Sequence, residues 1–418
     1  MNKSLLKSRR QFLQGTALSS VFLGFSLPVQ AQPVSAELQQ PLPDSMLKAG
    51  ANFSNYSQPS IYEKDIIRWI SANPNVPGNG VSWTPLEELQ GTITPNGLHY
   101  ERHHNGVPDI NPSSHEIMID GLVDKPLTFS IDALKRYPQI TKICFIECGG
   151  NSNAGWRSAP IQSAAGYVHG LVSNAEWTGV PLRLLLNECG IQAEAKWAIA
   201  EAADGAALNV SLPIEKLLDD AILALYQNGE RLRPENGYPV RLLLPGWEGI
   251  VNVKWLRQLK LVDQPAMTRD ETAQYTDLLP TSKARQFSFT MQAKSLITSP
   301  SVGMTLPDNP GIYQVTGLAW SGNGKIRKVE VSADGGDTWV QAELSDPVLD
   351  RAFTRFSLPW QWQGQYAILQ SRATDETGYQ QPSRNTLISE RGDNSFFHYN
   401  AIVSWEINED GQISHIYV

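Results

Sequence analysis

The chain has 418 residues, and its 42 acidic side chains outnumber its 34 lysines and arginines, giving a formal net charge of −8. This acidic balance argues against nucleic acid and anionic membrane surfaces as partners. The length allows two or three domains with real hydrophobic cores, and beyond the N-terminus no apolar run is long enough to span a bilayer.

The N-terminus has the pattern of an export signal. The sequence SRRQFL at 8–13 is a twin-arginine signature, typical of a route that exports folded proteins. A weakly apolar stretch, 12–29, ends at the small-residue site Val29-Gln30-Ala31. We therefore predict a twin-arginine signal peptide over 1–31 and a periplasmic protein; an ordinary secretory signal is the alternative. Removing its four positive charges from the net −8 leaves a mature chain at −12.

The cysteine count bears on both compartment and chemistry. The three cysteines, Cys144, Cys148 and Cys189, leave at least one free thiol in an oxidising compartment. On one strand Cys144 and Cys148 would lie roughly 13 Å apart, beyond disulfide reach, whereas a Cys148–Cys189 bridge stays open. Cys189 precedes Gly190, a candidate helix C-cap, and is interpreted as a small core residue. The chain has no C-x-x-C-H motif, so we expect no c-type haem in it.

The first two-thirds of the chain mixes short helical and strand patterns. Residues 32–95 predict an extended lead-in with one short helix near Ile61–Ile70. Residues 96–280 predict strands at His115–Ile119, Ile143–Glu147, Trp197–Glu201 and Val240–Leu244, and helices at Ser130–Arg136, Pro181–Glu188 and Ile214–Leu218. These segments are short and rich in turns, so we predict an irregular α+β domain rather than a doubly wound sheet.

The last third of the chain, 281–418, has a different pattern of apolar and polar residues. Apolar and polar residues alternate over Tyr313–Trp320, Lys328–Val331, Gln365–Arg372 and Ala401–Ile407, with glycine-rich turns between these segments. Short alternating strands of this kind predict an antiparallel β-sandwich of immunoglobulin-like size, and no helical period is seen.

Cys148 is the first candidate functional residue. It stands where an apolar strand runs into a turn rich in Gly, Asn and Ser. Such a turn leaves backbone N–H groups free to face an anion, and a thiol can ligate a soft metal. The alternative is a buried structural cysteine.

Basic residues elsewhere supply two more candidate sites. On an extended backbone Arg102 and His104 share a face, and His103 points away from them. An Arg and a His on one side suit phosphate or sulfate, and a solvated loop is the alternative. Arg241 lies in an apolar strand, so it must pair with a carboxylate or hold a ligand phosphate; Lys254 and a glycine-rich turn favour the ligand.

In their order along the chain these motifs resemble the sulfite oxidase family of molybdenum enzymes. The matching segments are Arg102-x-His104, Cys148-x-Gly150-Asn151, Asp204, Asn228-Gly229-Glu230, Gly237-Tyr238-Pro239-Val240-Arg241, Lys254-Trp255-Leu256 and, further on, Asp334-Gly335-Gly336. The resemblance covers roughly 60–410 and is greatest to the SoxC-type catalytic subunits of sulfane (sulfite) dehydrogenases. It implies an α+β fold, with a molybdopterin-binding catalytic domain over 96–280 and an immunoglobulin-like β-sandwich dimerisation domain over 281–418.

The resemblance also implies a role for each candidate residue. Cys148 would ligate molybdenum held by a pyranopterin. The pterin, its phosphate or nearby substrate oxygens would be bound by Arg102, His104, Asp204, Arg241 and Lys254, with Asn236 where sulfite oxidases have a histidine. Beside Cys148 and Arg102, the catalytic group would include Tyr275 near the metal and Arg355 reaching in from the second domain.

One departure from the family pattern concerns the substrate. Sulfite oxidases continue their ligand cysteine with Gly-Asn-Arg-Arg, whereas this chain has Ser152 and Asn153 after Asn151. A charge-assisted contact is worth about 1.5–3 kcal/mol, so the loss of at least one cation weakens the binding of free sulfite.

The resemblance with this departure implies oxidation of sulfane sulfur carried on a partner protein, as in thiosulfate oxidation, with electrons passed to a c-type cytochrome. It also implies a homodimer formed through the C-terminal domain. A dehydrogenase acting on free sulfite, a reductase of oxidised sulfur and a cofactor-less periplasmic binding module are the alternatives.

Overall fold

The computed structural model describes residues 43–49, 51–307 and 310–418, and the predicted signal peptide lies outside the described residues. The chain divides into two units, Met1–Pro59 and Ser60–Val418. In the first unit a 3-10 turn forms at Asp44–Met46. No helix in the described part of the chain is long and apolar enough to cross a membrane.

A small antiparallel sheet precedes the larger domains. Its strands, in the order β1-β2-β3, are β1 (Trp69–Ala72), β2 (Gly80–Trp83) and β3 (Glu101–His103). The helix predicted near Ile61–Ile70 is wrong, because the stretch forms a 3-10 turn at Ile61–Glu63 and then enters β1. Tyr62 and Ile70 are 87% and 75% exposed, so no apolar stripe packs against a core and stabilises a helix.

The next part of the chain forms two five-stranded sheets with short helices. The strands are β4 (Glu116–Gly121), β5 (Leu127–Ser130), β6 (Ile140–Glu147), β7 (Val172–Pro181), β8 (Trp197–Ala202), β9 (Asn209–Pro213), β10 (Ile222–Gln227), β11 (Glu230–Arg231), β12 (Arg241–Leu243) and β13 (Leu256–Val262). One sheet has the order β11-β10-β7-β6 with β12 added to β10, and the other has the order β5-β4-β13-β8-β9. Only the β4–β13 pair in these sheets is parallel, which confirms the α+β class.

Short helices link these strands. They are α1 (Ile131–Leu134), α2 (Ala165–His169), α3 (Leu182–Cys189), α4 (Ile214–Asp219) and α5 (Arg269–Ala273), with 3-10 turns at Leu86–Glu88, Asn96–Leu98, Asn153–Trp156, Pro234–Asn236 and Gly249–Val251. The predicted strands and helices of this region are confirmed with small shifts at their ends. Gly190 ends α3 with a φ of 70°, and Cys189 before it is fully buried in the core, as predicted. All three thiols are free, which excludes the Cys148–Cys189 bridge.

The C-terminal part is the predicted antiparallel β-sandwich. After the hairpin β14 (Asp277–Leu278) and β15 (Ala284–Arg285), its strands are β16 (Lys294–Ser299), β17 (Gly311–Trp320), β18 (Ile326–Ser332), β19 (Val340–Gln341), β20 (Glu343–Leu344), β21 (Thr354–Trp362), β22 (Ala367–Asp375), β23 (Ser404–Ile407) and β24 (Ile413–Ile416). The two sheets have the orders β16-β17-β21-β20 and β19-β18-β22-β23-β24. Large aromatic side chains, among them Trp320, Trp362 and Trp405, are buried in the core of this domain.

One helix in this domain was not expected. The helix α6 (Arg384–Arg391) begins after Ser383, whose side chain accepts a backbone N–H of the first turn, and ends at Gly392 with a φ of 86°. Only Leu387 and Arg391 are buried in it. So narrow a buried face gives no apolar period, which is why the prediction of a helix-free domain is wrong.

Candidate active site

Cys148 is the first residue after β6, and hydrogen bonds fix its backbone on both sides. Its N–H donates to the carbonyl of Leu171 at 2.9 Å, and its own carbonyl accepts from the N–H of Asn151 at 2.8 Å. Burial raises the pKa of its thiol, while a backbone N–H of Gly150 and the nearby Arg102 act in the opposite direction. A metal ion coordinated here would deprotonate the thiol.

Residues 148–153 form what we call the catalytic turn, and the side chains of Asn151 and Ser152 in it are hydrogen-bonded to the surrounding protein. The amide of Asn151 donates to Glu147 at 2.8 Å and accepts from the N–H of Leu171 at 3.0 Å. Ser152 adopts a left-handed φ of 62° and is 1% exposed. Its hydroxyl lies 2.7 Å from Nδ1 of His169, so this turn has a fixed shape.

A buried lysine from the β-sandwich supports the catalytic turn from behind. Nζ of Lys294, on β16, donates to the Ser152 hydroxyl at 2.6 Å and lies 3.3 Å from Oε1 of Glu147. The indole N–H of Trp320, on β17, donates to the other oxygen of Glu147 at 2.7 Å. Lys294 and Glu147 are 1% and 2% exposed. The second domain therefore fixes the residue that precedes Cys148 through a buried ion pair.

A cleft of about 680 Å³ opens on one side of Cys148, and we call it the basic cleft. Its lining includes Arg102, His103, His104, Cys148, Asp204, Asn236, Arg241, Lys254 and Tyr275, together with His99, Tyr100, Glu235 and Asn252. Strands and loops far apart in sequence thus bring all but one of the predicted site residues around one cavity.

Arg241 and Lys254 approach each other at the back of the basic cleft. The Arg241 guanidinium donates to the carbonyls of Asn236 and Asn252 at 3.0 and 2.9 Å, and no carboxylate of the described residues pairs with it. Lys254 Nζ donates to Nδ1 of His103 at 2.9 Å. A Cβ on Gly237 would lie 3.0 Å from that of Arg241 and 3.2 Å from that of Lys254. Glycine at 237, with a φ of 111°, therefore permits this close approach.

The basic cleft has the chemistry of an anion site. Two buried nitrogens in it, Nε2 of His99 and Nε of Arg241, have no hydrogen-bond partner. Burial and the neighbouring cations lower the pKa of His103 to about 3 and that of His104 to about 4. Burial lowers the pKa of His99 to about 3. A backbone hydrogen bond acts in the opposite direction, and nearby cations lower the pKa further. The unpaired N–H of Arg241 and the uncompensated positive charge of Arg241 and Lys254 fit a phosphate-bearing ligand such as a pterin phosphate.

The remaining predicted ligands of the pterin also face this cleft. Asp204 accepts the N–H of Leu208 at 3.3 Å, and the buried Asn236 donates from its amide to Gln227 at 3.0 Å. Arg102, His103 and His104 all line the cleft. Within β3, which ends at His103, the His103 ring lies 2.8 Å from the carboxylate of Glu101, two residues earlier on the same face, as the alternation of a strand predicts.

A second cleft of about 1,410 Å³ meets the first at Cys148, and we call it the aromatic cleft. Arg102, Cys148 and Tyr275 line both clefts; the aromatic cleft is also lined by Trp83, Tyr167, Phe396, Phe397, Gly150, Ser152, Asn153 and Arg157. Burial raises the pKa of the Tyr275 hydroxyl, which lies 3.4 Å from Nε2 of His104. Tyr275 therefore stands at the junction, beside the candidate metal ligand.

Arg355 is the predicted site residue that the fold does not bring to the clefts. Its guanidinium donates to the carbonyls of Leu89 and Gly91, both at 2.9 Å, and it is absent from the described lining of either cleft. Within β21 it pairs with Leu318, and this register carries it to the loop after Leu86–Glu88. The second domain reaches the site through other residues: Lys294, Phe396 and Phe397.

Comparisons with known proteins agree with this geometry. The family profile of the oxidoreductase molybdopterin binding domain matches residues 104–269, and that of the Mo-co oxidoreductase dimerisation domain matches residues 285–404. The crystal structure of the sulfane dehydrogenase SoxCD from Paracoccus pantotrophus is 40% identical, with a TM-score of 0.84 over 93% of this chain and 98% of that chain. This chain belongs to the sulfite oxidase family. As a member of the family it is a molybdopterin-dependent oxidoreductase, and the resemblance seen in its motifs is confirmed.

Two curated relatives extend the comparison. Mitochondrial sulfite oxidase of Drosophila melanogaster is 34% identical over 269 residues, which are 60% of this chain and 47% of that protein. The NADH nitrate reductase of Solanum lycopersicum is 32% identical over 345 residues, which are 72% of this chain and 37% of that protein. The chain thus spans about half or less of the length of these two sulfite oxidase family relatives.

Proposed function

We propose that this protein catalyses the molybdenum-dependent oxidation of sulfane sulfur carried on a cysteine of a partner protein, and passes the electrons to a c-type cytochrome. Its similarity to a sulfane dehydrogenase over nearly its whole length supports this proposal. The observation that carries it is the composition of the aromatic cleft, where Ser152 and Asn153 stand next to the candidate metal ligand in place of two arginines.

The residues around the basic cleft would bind different parts of the cofactor. Cys148 would ligate the molybdenum, and Arg241 and Lys254, which have no carboxylate partner among the described residues, would neutralise the pterin phosphate. Arg102 and Tyr275, at the junction of the clefts, would contact the oxygen atoms of the reacting group. When bound, the molybdenum centre supplies two-electron redox and oxygen-transfer chemistry, and the protein orients the substrate.

The aromatic cleft suits a substrate that arrives on a carrier. It is larger than the basic cleft and is lined by Cys148. The hydroxyl of Ser152 carries no charge, and because it is bound to Lys294 and His169 it has no free hydrogen to donate to an incoming dianion. A sulfur chain carried on a peptide is held at the site by the contacts of its carrier protein, so its binding does not depend on a cluster of cations.

Free sulfite is the second candidate substrate, and one observation favours it. Two arginines, Arg102 and Arg157, line the aromatic cleft, and together they could bind a small oxyanion. Arg102, however, already donates to the carbonyl of His103 and, at 3.4 Å, to that of Gly80. Arg157 is the better placed of the two to receive a free anion, because its side chain is exposed.

The location and assembly of the enzyme complete the proposal. The twin-arginine pattern within residues 1–31 supports export to the periplasm after cofactor insertion in the cytoplasm. The match of residues 285–404 to a dimerisation domain supports a homodimer formed through the β-sandwich. The electrons require an acceptor outside this chain, because its sequence has no c-type haem motif.

The test is a comparison of electron donors with the cofactor-loaded enzyme purified from the periplasm. Reduction of a c-type cytochrome is followed with a carrier protein bearing a cysteine persulfide, and separately with free sulfite. The proposal predicts that the carrier-bound sulfur gives the higher kcat/KM. Equal or faster reduction by sulfite alone would overturn it in favour of a sulfite dehydrogenase.

A further inference from the structure

Two groups of aromatic rings line the aromatic cleft beside the catalytic turn. In the first group Trp83 and Tyr167 have ring centroids 5.1 Å apart, and Trp69 contacts Tyr167 at 5.8 Å. In the second group the ring of Phe397 lies 4.9 Å from both Tyr275 and Phe396. Cys148, Gly150 and Ser152 line the same cleft. The candidate metal ligand therefore shares its cleft with two aromatic clusters.

The ring of Phe396 lies beside Gly150 in the catalytic turn. A Cβ placed on Gly150 would lie 3.4 Å from Cε1 of Phe396 and 3.9 Å from Sγ of Cys148, so the ring and the sulfur flank the same glycine. The Phe396 side chain is 52% exposed. Its backbone is nevertheless held in place, because the N–H of His398 donates to the carbonyl of Gly149 at 2.8 Å and the Ser395 hydroxyl donates to the carbonyl of Arg391 at 3.0 Å.

The chemistry of the aromatic cleft discriminates between forms of sulfur. A sulfite dianion loses water against aromatic carbon and finds cations only at Arg102 and Arg157 among the described residues of the lining. Divalent sulfur in a persulfide chain is weakly hydrated and polarisable, and it makes favourable contacts at the edges of aromatic rings. A ring edge beside Cys148 thus stabilises an approaching sulfur chain, whereas its weak partial positive charge does not replace the hydration that the dianion loses.

We propose that Phe396, supported by Phe397 and Tyr275, is a specificity-determining residue that binds the terminal divalent sulfur of a thiol-borne chain in the aromatic cleft. This inference rests on the proposed function and names the element that selects its substrate. It assigns that selection to a residue of the second domain, which enters the active site between α6 and β23.

The first experiment measures binding without turnover. Dimethyl trisulfide, a neutral chain of divalent sulfur, is titrated into the purified full-length enzyme by calorimetry, with Phe396→Ala and Phe396→Leu as variants. Both variants should raise the Kd by about 2- to 10-fold, the range that a sulfur–aromatic contact supplies. Tyr366→Ala is the matched control, since Tyr366 is an aromatic residue 51% exposed on the sandwich and away from the described linings of both clefts. An unchanged Kd in Phe396→Leu would overturn the inference.

The second experiment measures selection during turnover. With the cofactor-loaded enzyme, glutathione persulfide and sulfite are compared as electron donors, and the ratio of their kcat/KM values should fall about 2- to 10-fold in Phe396→Ala. An equal loss with both donors would show a merely structural role and overturn the inference. If the wild-type enzyme oxidises only sulfite while trisulfide binding still depends on Phe396, the proposed function fails and the assignment of the sulfur-binding residue stands.

Discussion

The buried ion pair between Lys294 and Glu147 makes the strongest prediction about stability. Replacing Lys294 with Met leaves the carboxylate of Glu147 without its cation at a site that is 2% exposed. Removing one member of such a pair destabilises a protein by about 3–5 kcal/mol. We expect a loss of this size in the free energy of unfolding, because Trp320 and Asn151 donate to the same carboxylate but cannot neutralise it.

A double-mutant cycle separates the charge from the packing. Adding Glu147→Gln to Lys294→Met removes the unpaired charge and keeps an amide that still accepts one hydrogen bond. The two substitutions should therefore be coupled by about 1–3 kcal/mol. The double variant should lose less free energy of unfolding than the two single variants lose together. Urea unfolding followed by fluorescence measures all four proteins, with Lys135→Met at an exposed pair as the control. A Lys294→Met loss below about 1 kcal/mol, or strict additivity, would refute the assignment.

Three further predictions address the clefts. The pKa values of His99 and His103 are about 3 and that of His104 is about 4, below the unfolded value of about 6.5, so the unfolded chain takes up protons first. The free energy of unfolding of the cofactor-free protein should thus be highest above pH 6.5 and should fall on acidification toward pH 4, by about 1.4 kcal/mol per pH unit for each histidine. With the cofactor bound the fall should be less steep. A thermal unfolding midpoint that does not change between pH 6.5 and pH 4 would contradict this prediction. Asn153→Arg should restore a cation to the aromatic cleft and improve kcat/KM for sulfite by about 10- to 150-fold, and unchanged sulfite kinetics would count against the account. Gly237→Ala, at a φ of 111° and in close contact with two basic side chains, should lower the molybdenum content of purified protein, and full metal loading would disprove the need for glycine there.

Local sequence patterns predicted much of the fold. The α+β class, the sandwich and the helix ending at Gly190 follow from periodicity and capping residues, which act over a few positions. The helix α6 could not be predicted from the sequence because its buried face is reduced to Leu387 and Arg391. The strand Trp69–Ala72 could not be predicted because it is exposed along its length, so apolar and polar residues do not alternate in it.

The candidate site was predictable only where motif residues lie in the first domain. Cys148, Arg241 and Lys254 could be recognised from their neighbours and order, and the fold brings them to one cleft. Lys294 and Phe396 come from the second domain, and nothing within a few residues of either indicates that it meets the catalytic turn. Their role depends on how two domains pack, which a local pattern does not encode.

Ligation of molybdenum by Cys148 is the central claim, and X-ray absorption at the molybdenum edge tests it most directly. The wild-type enzyme, Cys148→Ser and the control Cys144→Ser, which alters another buried free thiol, are compared after purification with cofactor. We predict that Cys148→Ser alone loses one sulfur neighbour of the metal while the fold is retained. An unchanged sulfur shell in Cys148→Ser, or less than about 0.1 molybdenum per wild-type chain, would contradict the account.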